Sequence, residues 1–338
     1  MSKKIQNREL DPIFGSDEET VVLDKSLRPK LFQDVVGRKK EIQNLKILID
    51  AAKIRNEPID HVLLHGPPGL GKTSLAYVIA NEAGVPIYTT SGPAIERKAD
   101  LAAILSNLED KAILFIDEIH RLNRSLEEIL YSAMEDNSID IVIGKGPSAR
   151  TLKLDLNKFS LIGATTRVGL LSSPLRDRFG VDLHLDYYEH DELTELVLRK
   201  AKMLDIKIDK KSAMEIARRS RRTPRIAQRL LKRVRDYVHS NEMEAINLDT
   251  VKVTLEILGI DDYGLDSLDK KIIRTMLVNF NGGPVGIGTI AASLSEDRET
   301  IENVYEPFLL KEGFIMRTAR GRVLTDKVLK SSNSYYYD

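Results

Sequence analysis

The 338 residues are enough for two or three domains, and 51 basic against 51 acidic residues leave no field of one sign to recruit nucleic acid, so any such binding comes from local patches. The absence of cysteine excludes disulfides, zinc knuckles and thiol catalysis and fits a cytosolic chain. Apolar runs such as residues 112–116 are far too short to span a bilayer and the N-terminus is polar, so the expected location is the cytoplasm, with no membrane partner.

In chain order, residues 1–26 are polar, acidic around Asp17, Glu18 and Glu19, and aperiodic; they read as a mobile arm. Ile42, Leu45, Leu48 and Ile49 share one side of a helix expected over 39–55. The apolar run His61-Val-Leu-Leu-His65 leads into Gly66-Pro-Pro-Gly-Leu-Gly-Lys-Thr73, the phosphate-loop pattern, and a helix expected over 72–83 stops at Gly84. Strands are expected at 85–90, 112–116, 159–166 and 181–185, helices at 100–108 and 125–135, and a hairpin pairs 139–143 with 151–155 across Gly144-Lys-Gly-Pro147. Strands alternating with helices predict an α/β fold, a parallel sheet with helices on both faces. From Glu189 strand signals stop, and helices over 191–204, 211–220, 224–240 and 249–258 predict a small all-helical domain. After the turn-rich stretch 259–264 come helices at 268–279, 287–294 and 298–311 and two short strands around a basic turn, the winged-helix plan. The expected division is an arm over 1–26, an α/β phosphate-loop domain over 27–188, a small helical domain over 189–259 and a winged-helix domain over 260–338.

In a phosphate loop, Gly69 and Gly71 let backbone N–H groups curl around phosphate oxygens while the helix presents its positive end. Lys72 would reach the outer phosphates and Thr73 would ligate Mg2+, so a nucleotide is the expected ligand, though a kinase or a GTPase could carry the same loop. Asp117 and Glu118 close a buried strand on the ligand side of the sheet. Asp117 suits metal binding through water, and Glu118 suits orienting the attacking water. Thr165 and Thr166 end the next strand, where a hydroxyl can sense the outer phosphate. Of the two arginines in Leu175-Arg-Asp-Arg-Phe179, Arg178 is favoured as a finger acting on a neighbouring subunit's nucleotide, while Arg176 is open to a surface pair with Asp177. Thr223-Pro-Arg225 starts a helix and puts Arg225 in its first turn, where a cation implies an anionic partner. The nine basic residues between Arg218 and Arg235 read first as a solvated face and second as a nucleic-acid patch. Arg317, Arg320 and Arg322 lie in the wing with almost no acid nearby in sequence, which suits DNA phosphates as well as a plain basic hairpin.

These motifs resemble the RuvB family of Holliday-junction branch-migration ATPases, in the AAA+ superfamily, over about residues 27–330. They include residues 60–73, Leu114-Phe-Ile-Asp-Glu-Ile-His-Arg-Leu122, Gly163-Ala-Thr-Thr-Arg167, Ser172-Ser-Pro-Leu-Arg-Asp-Arg-Phe-Gly180 and Tyr305-Glu-Pro-Phe308. The resemblance implies hexameric rings that drive duplex arms through a four-way junction held by RuvA, with RuvC as resolvase. It makes the nucleotide ATP or ADP, adds Ser74 to the phosphate and metal contacts and gives Arg225 the role of second sensor. It places Leu27, Arg28, the Glu135-Asp136-Asn137 turn and Tyr188 around the nucleotide, assigns the 139–155 hairpin to RuvA and the wing arginines to DNA. Three positions depart from the family pattern: Arg222 replaces a glycine, Asn137 an aromatic and Ala319 a proline. A non-motor AAA+ switch of clamp-loader or initiator type is the rival expectation, and a protein remodeller that ignores nucleic acid is the third.

Overall fold

A computed structural model describes residues 27–143 and 150–330. The expected arm 1–26, the hairpin tip at Gly144-Lys-Gly-Pro147 and the last eight residues lie outside them.

The first unit is built on five parallel strands: β1 (Val62–His65), β2 (Ile87–Ser91), β3 (Ile113–Asp117), β6 (Ser160–Thr165) and β7 (Val181–His184), in the order β2-β3-β6-β1-β7. The phosphate-loop strand β1 sits between β6 and β7, with β3 one place beyond β6. The near-continuous apolar sequences of the inner strands β1, β3 and β6 follow from burial on both faces, where helices cover each side, whereas the edge strands β2 and β7 are more polar and less buried. β4 (Ser138–Ile143) and β5 (Arg150–Asp155) form the separate antiparallel hairpin, paired from Ser138 with Asp155 to Ile143 with Arg150. Two apolar clusters flank the sheet, one through Leu101, Leu114 and Leu126, the other through Leu64, Ile79 and Phe115. The latter continues without a break into Leu193, Ile216, Leu230 and Val251 of the second unit, so the two units share one core.

The second unit contains helices His190–Met203, Lys210–Arg218, Pro224–Ser240 and Leu248–Ile257. It differs from the all-helical expectation in one detail: β8 (Lys207–Ile208) and β9 (Ala245–Ile246) pair in parallel. Two residues per strand are too few for a period-2 pattern to register.

The third unit has its own core around Ile272, Met276, Phe308 and Phe314. Its helices are Ser267–Phe280 and Ile287–Leu294, then a composite one, followed by β10 (Ile315–Thr318) and β11 (Gly321–Leu324) and a short helix, Asp326–Lys330, that the sequence reading missed. The composite helix is not regular as expected: Arg298–Thr300 passes through a π-turn, Ile301–Tyr305, into Glu306–Lys311. Pro307 sits in the first turn of that last segment and lacks the N–H that a regular α-helical ladder needs. Among the described residues no helix is long and apolar enough to cross a membrane.

Candidate nucleotide site and nucleic-acid head

The phosphate loop leaves β1 at Gly66, whose φ of +139° and distance to Leu185 bar a side chain: an added Cβ would meet the Leu185 carbonyl oxygen at 2.2 Å. The helix Lys72–Ala83 then begins behind a left-handed Gly71, so its positive end and free first-turn N–H groups face the loop. Lys72 is buried, and its Nζ donates to the carbonyls of Gly66 and Pro67 at 2.9 and 3.0 Å. Burial pulls its pKa down to about 8 against the opposing pull of Asp117 and Glu118. Ser74, next to Thr73, lies in the first turn of the same helix.

Asp117 ends β3 beside this turn, with Oδ2 accepting from Thr73 Oγ1 at 3.0 Å and Oδ1 from the Glu118 N–H at 2.9 Å. Glu118 takes a left-handed backbone, φ 49°, which turns its side chain away from the strand direction. Gly92 opposite has no side chain because one would come within 2.4 Å of the Glu118 carbonyl oxygen. Burial, then the charge of Asp117, raises the Glu118 carboxyl above the usual range. Its Oε2 lies 3.5 Å from Thr166 Oγ1 and 3.3 Å from His120 Nε2. Thr165, expected to sense phosphate, is fully buried with its oxygen 2.8 Å from His120 Nδ1, which leaves Thr166 as the threonine open toward a ligand.

Arg225 arrives from the second unit. Its backbone N–H donates to Gly69 O at 3.3 Å, and its Cβ would stand 3.3 Å from a Cβ on Gly69. Lys72, Thr73, Asp117, Glu118 and Arg225 therefore converge at the carboxyl end of the sheet. Leu27 is buried, Arg28 lies over the Tyr77 ring at 5.8 Å, and Tyr188 is buried under the Arg38 guanidinium at 4.6 Å.

Arg178 and the Glu135-Asp136-Asn137 turn form a second cluster. Arg178 Nη2 donates to Tyr131 Oη and to Glu135 Oε2, each at 2.6 Å, and its guanidinium lies 4.6 Å from the Tyr131 ring centre. None of these described contacts involves the phosphate loop. Asn137 ends the helix Arg124–Asp136 in a left-handed conformation, φ 48°, which asparagine tolerates better than an aromatic does.

Arg222, where the family pattern has glycine, keeps the glycine-like backbone with φ 55°. Its guanidinium donates to Tyr188 O at 3.0 Å and Glu189 Oε1 at 2.6 Å, at the junction of the first two units. Arg221 beside it reaches the third unit, with Nη2 3.1 Å from the buried Asp269 carboxylate and its guanidinium against Phe308.

The near absence of acid around the wing arginines along the sequence does not carry over to space. Arg317 and Arg322 both grip the buried Glu306, with Nε to Oε1 at 2.8 Å in each case and second contacts at 2.8 and 3.2 Å. Burial works to raise the Glu306 carboxyl, and the two guanidinium groups overcome it and hold it below the usual range. Glu306 comes from the preceding helix, which a count of local acids overlooks. Arg320 is exposed at the turn, where the Thr318 hydroxyl donates to Gly321 O at 2.9 Å and accepts from the Arg320 N–H at 3.3 Å, so the turn closes with Ala319 in place of proline.

Known proteins agree with this arrangement. Family models described as the RuvB P-loop domain, the RuvB AAA lid domain and the RuvB C-terminal winged helix domain match residues 27–185, 188–261 and 262–331. The Holliday junction branch migration complex subunit RuvB of Clostridium kluyveri is 57% identical over 318 residues, 92% of this chain and 91% of that protein. A structure of Thermotoga maritima RuvB, described as a Holliday junction branch migration motor, is 49% identical at a TM-score of 0.84 and covers 91% of this chain and 98% of that one. A mutant of the same Thermotoga protein reaches a TM-score of 0.85 at 50% identity over the same shares. With the three matched domains running end to end from residue 27 to residue 331, the chain belongs to the RuvB family.

Proposed function

We propose that this chain is an ATP-driven DNA motor subunit that migrates Holliday junctions in recombination and repair. The observation that carries the proposal is the convergence of Lys72, Thr73, Asp117, Glu118 and Arg225 at one end of the sheet, in a chain that also presents a winged head. Residues 27–188 act as the ATPase domain, 189–259 as the lid and 260–338 as the head. ATP lies on the phosphate loop, with Gly69, Gly71, Lys72 and Ser74 at the phosphates and Leu27, Arg28 and Tyr188 nearer the base and sugar.

The oxygens of Thr73 and Asp117, 3.0 Å apart, form a hard donor pair that fits Mg2+. An ion held by these residues would neutralise phosphate charge. Glu118 orients and polarises the attacking water, and Thr166 meets the outer phosphate. Arg178 serves the nucleotide of a neighbouring subunit, beside the Glu135-Asp136-Asn137 turn, which makes the working form a ring of several copies, expected to be a hexamer. Arg225 ties nucleotide state to lid position, and the lid carries the head along duplex DNA through Arg320 and the outward faces of Arg317 and Arg322.

RuvA engages the 139–155 hairpin, RuvC joins the resolving complex, and the work takes place in the cytoplasm. The test is migration of a synthetic four-way junction with RuvA and ATP. Wild-type protein is expected to convert the junction, and Glu118→Gln to bind ATP without converting it. Conversion that proceeds without ATP, or ATP turnover that never moves the junction in the presence of RuvA, defeats the motor reading and leaves a switch.

A further inference from the structure

His120 follows Asp117 by three residues and sits in the tight turn Ile119–Arg121. Its ring bridges two polar groups, with Nδ1 2.8 Å from Thr165 Oγ1 and Nε2 3.3 Å from Glu118 Oε2. Thr165 Oγ1 also accepts from the Arg167 N–H at 2.9 Å. With Nε2 facing the Glu118 carboxyl, the tautomer that fits both neighbours protonates Nε2 and accepts at Nδ1 from the Thr165 hydroxyl.

The chain of contacts does not stop in the ATPase domain. Arg167 sends Nε and Nη2 to Asn303 Oδ1 in the head at 3.0 and 2.6 Å. Asn303 lies in the π-turn Ile301–Tyr305, a local widening found disproportionately at functional positions. Arg167 and Asn303 line a cleft of about 510 Å³ that also borders Gly66, Thr166 and Arg317. A path of contacts therefore runs from the reacting centre to the head: Glu118 and His120 in ion-pair range at 3.3 Å, His120 hydrogen-bonded to Thr165, Thr165 to the Arg167 backbone N–H, and the Arg167 side chain to Asn303.

We propose that His120 is the positioning residue for Glu118, and that Arg167 extends this hold to Asn303 so that the placement of the head governs how firmly the water-activating carboxylate is aimed. The proposal rests on the reading of Glu118 given above. A glutamate has several rotamers, and its side chain here is 37% exposed, so an unaided carboxylate would spend much of its time out of line with the water. The imidazole is held from behind by a fully buried hydroxyl and restricts that freedom. A head drawn away by DNA would take Asn303 with it, release Arg167 and slacken the path, whereas a head pressed closer would tighten it.

The test uses the full-length protein with ATP, with and without saturating duplex DNA. His120→Ala is expected to bind ATP within about two-fold of wild type and to turn it over about ten-fold more slowly, because positioning acts on the transition state and not on nucleotide affinity. His120→Gln keeps a donor within reach of Glu118 and is expected to turn over clearly faster than His120→Ala. Asn303→Ala is expected to make the rates with and without DNA converge. Wild-type turnover by His120→Ala, or equal loss in the Ala and Gln variants, overturns the positioning role. An undiminished DNA effect in Asn303→Ala, or a wild-type rate indifferent to DNA, overturns the extension to the head. Glu118→Gln is measured in parallel: full turnover there overturns the assignment of Glu118 itself, a failure distinct from an indifferent His120.

Discussion

The Thr73 hydroxyl donates to the Asp117 carboxylate across 3.0 Å, tying the first turn of the phosphate-loop helix to the end of β3. The two oxygens come from elements 44 residues apart in sequence and are brought together only by the β1-β6-β3 order of the sheet. If they share a magnesium ion, Thr73→Val, close to isosteric, should raise the Mg2+ concentration for half-maximal turnover about ten-fold, since one hydrogen-bonding oxygen is worth roughly 1.4 kcal/mol. An unchanged magnesium titration would remove Thr73 from the metal site.

Lys72 predicts a pH dependence of binding. Burial sets its pKa at about 8 in the free protein, so the charged form that attracts phosphate falls from about nine-tenths at pH 7 to about one-tenth at pH 9. ATP affinity should weaken about ten-fold over that interval, and Lys72→Met should bind weakly at both ends with no such slope. The lowered pKa also means that the folded chain holds this proton less tightly than the unfolded one. Its destabilising effect is full below about pH 8 and fades as the pH climbs toward 10.5. Equilibrium nucleotide binding at pH 7 and 9 checks the first statement; a flat wild-type profile contradicts it.

Arg178 and Glu135 are held together on their own chain, apart from the phosphate-loop contacts. If the pair serves a neighbour, Arg178→Ala should bind ATP normally and lose about three orders of magnitude in turnover. Mixing it with Lys72→Ala should restore part of the activity, because some interfaces then combine an intact loop with an intact arginine. Assembled mixtures that hydrolyse no faster than either parent would show that Arg178 acts elsewhere.

The two guanidinium groups on Glu306 predict a division of labour in the wing. Glu306→Ala leaves Arg317 and Arg322 without their shared buried anion and should lower the stability of the head by about 3 kcal/mol, read by denaturant unfolding. Arg320→Ala should leave stability alone, weaken duplex binding and reduce the salt slope by about one unit. A stability loss at Arg320 with none at Glu306 would reverse the assignment.

The sheet, the phosphate loop and the Asp117-Glu118 pair were legible because each rests on local pattern: an apolar strand of a few residues, a glycine-rich turn, a helix start. What escaped was long-range pairing. His120 stands in the quoted Asp-Glu-Ile-His stretch, yet its bond to Thr165 spans 45 residues, and Arg167 meets Asn303 across 136. Glu306 lies only 11 residues from Arg317, but the intervening helix end and turn fold it back onto the wing, and charge counting along the chain cannot register that return. The π-turn at Ile301–Tyr305 is indistinguishable from plain helix along the sequence because its apolar spacing is close to the ordinary period.

The stretch from Arg221 to Arg225 grips three bodies at once: Arg221 the head, Arg222 the junction between ATPase domain and lid, and the Arg225 N–H the phosphate loop. Both Arg221 and Arg222 are left-handed, so the order in which these grips face outward depends on each residue keeping its place in the turn. Substitutions here alter one grip at a time, whereas inserting or deleting a single residue would rotate all that follow and put the three out of phase. The length of this five-residue span is therefore more tightly bound than the identity of any one of its side chains.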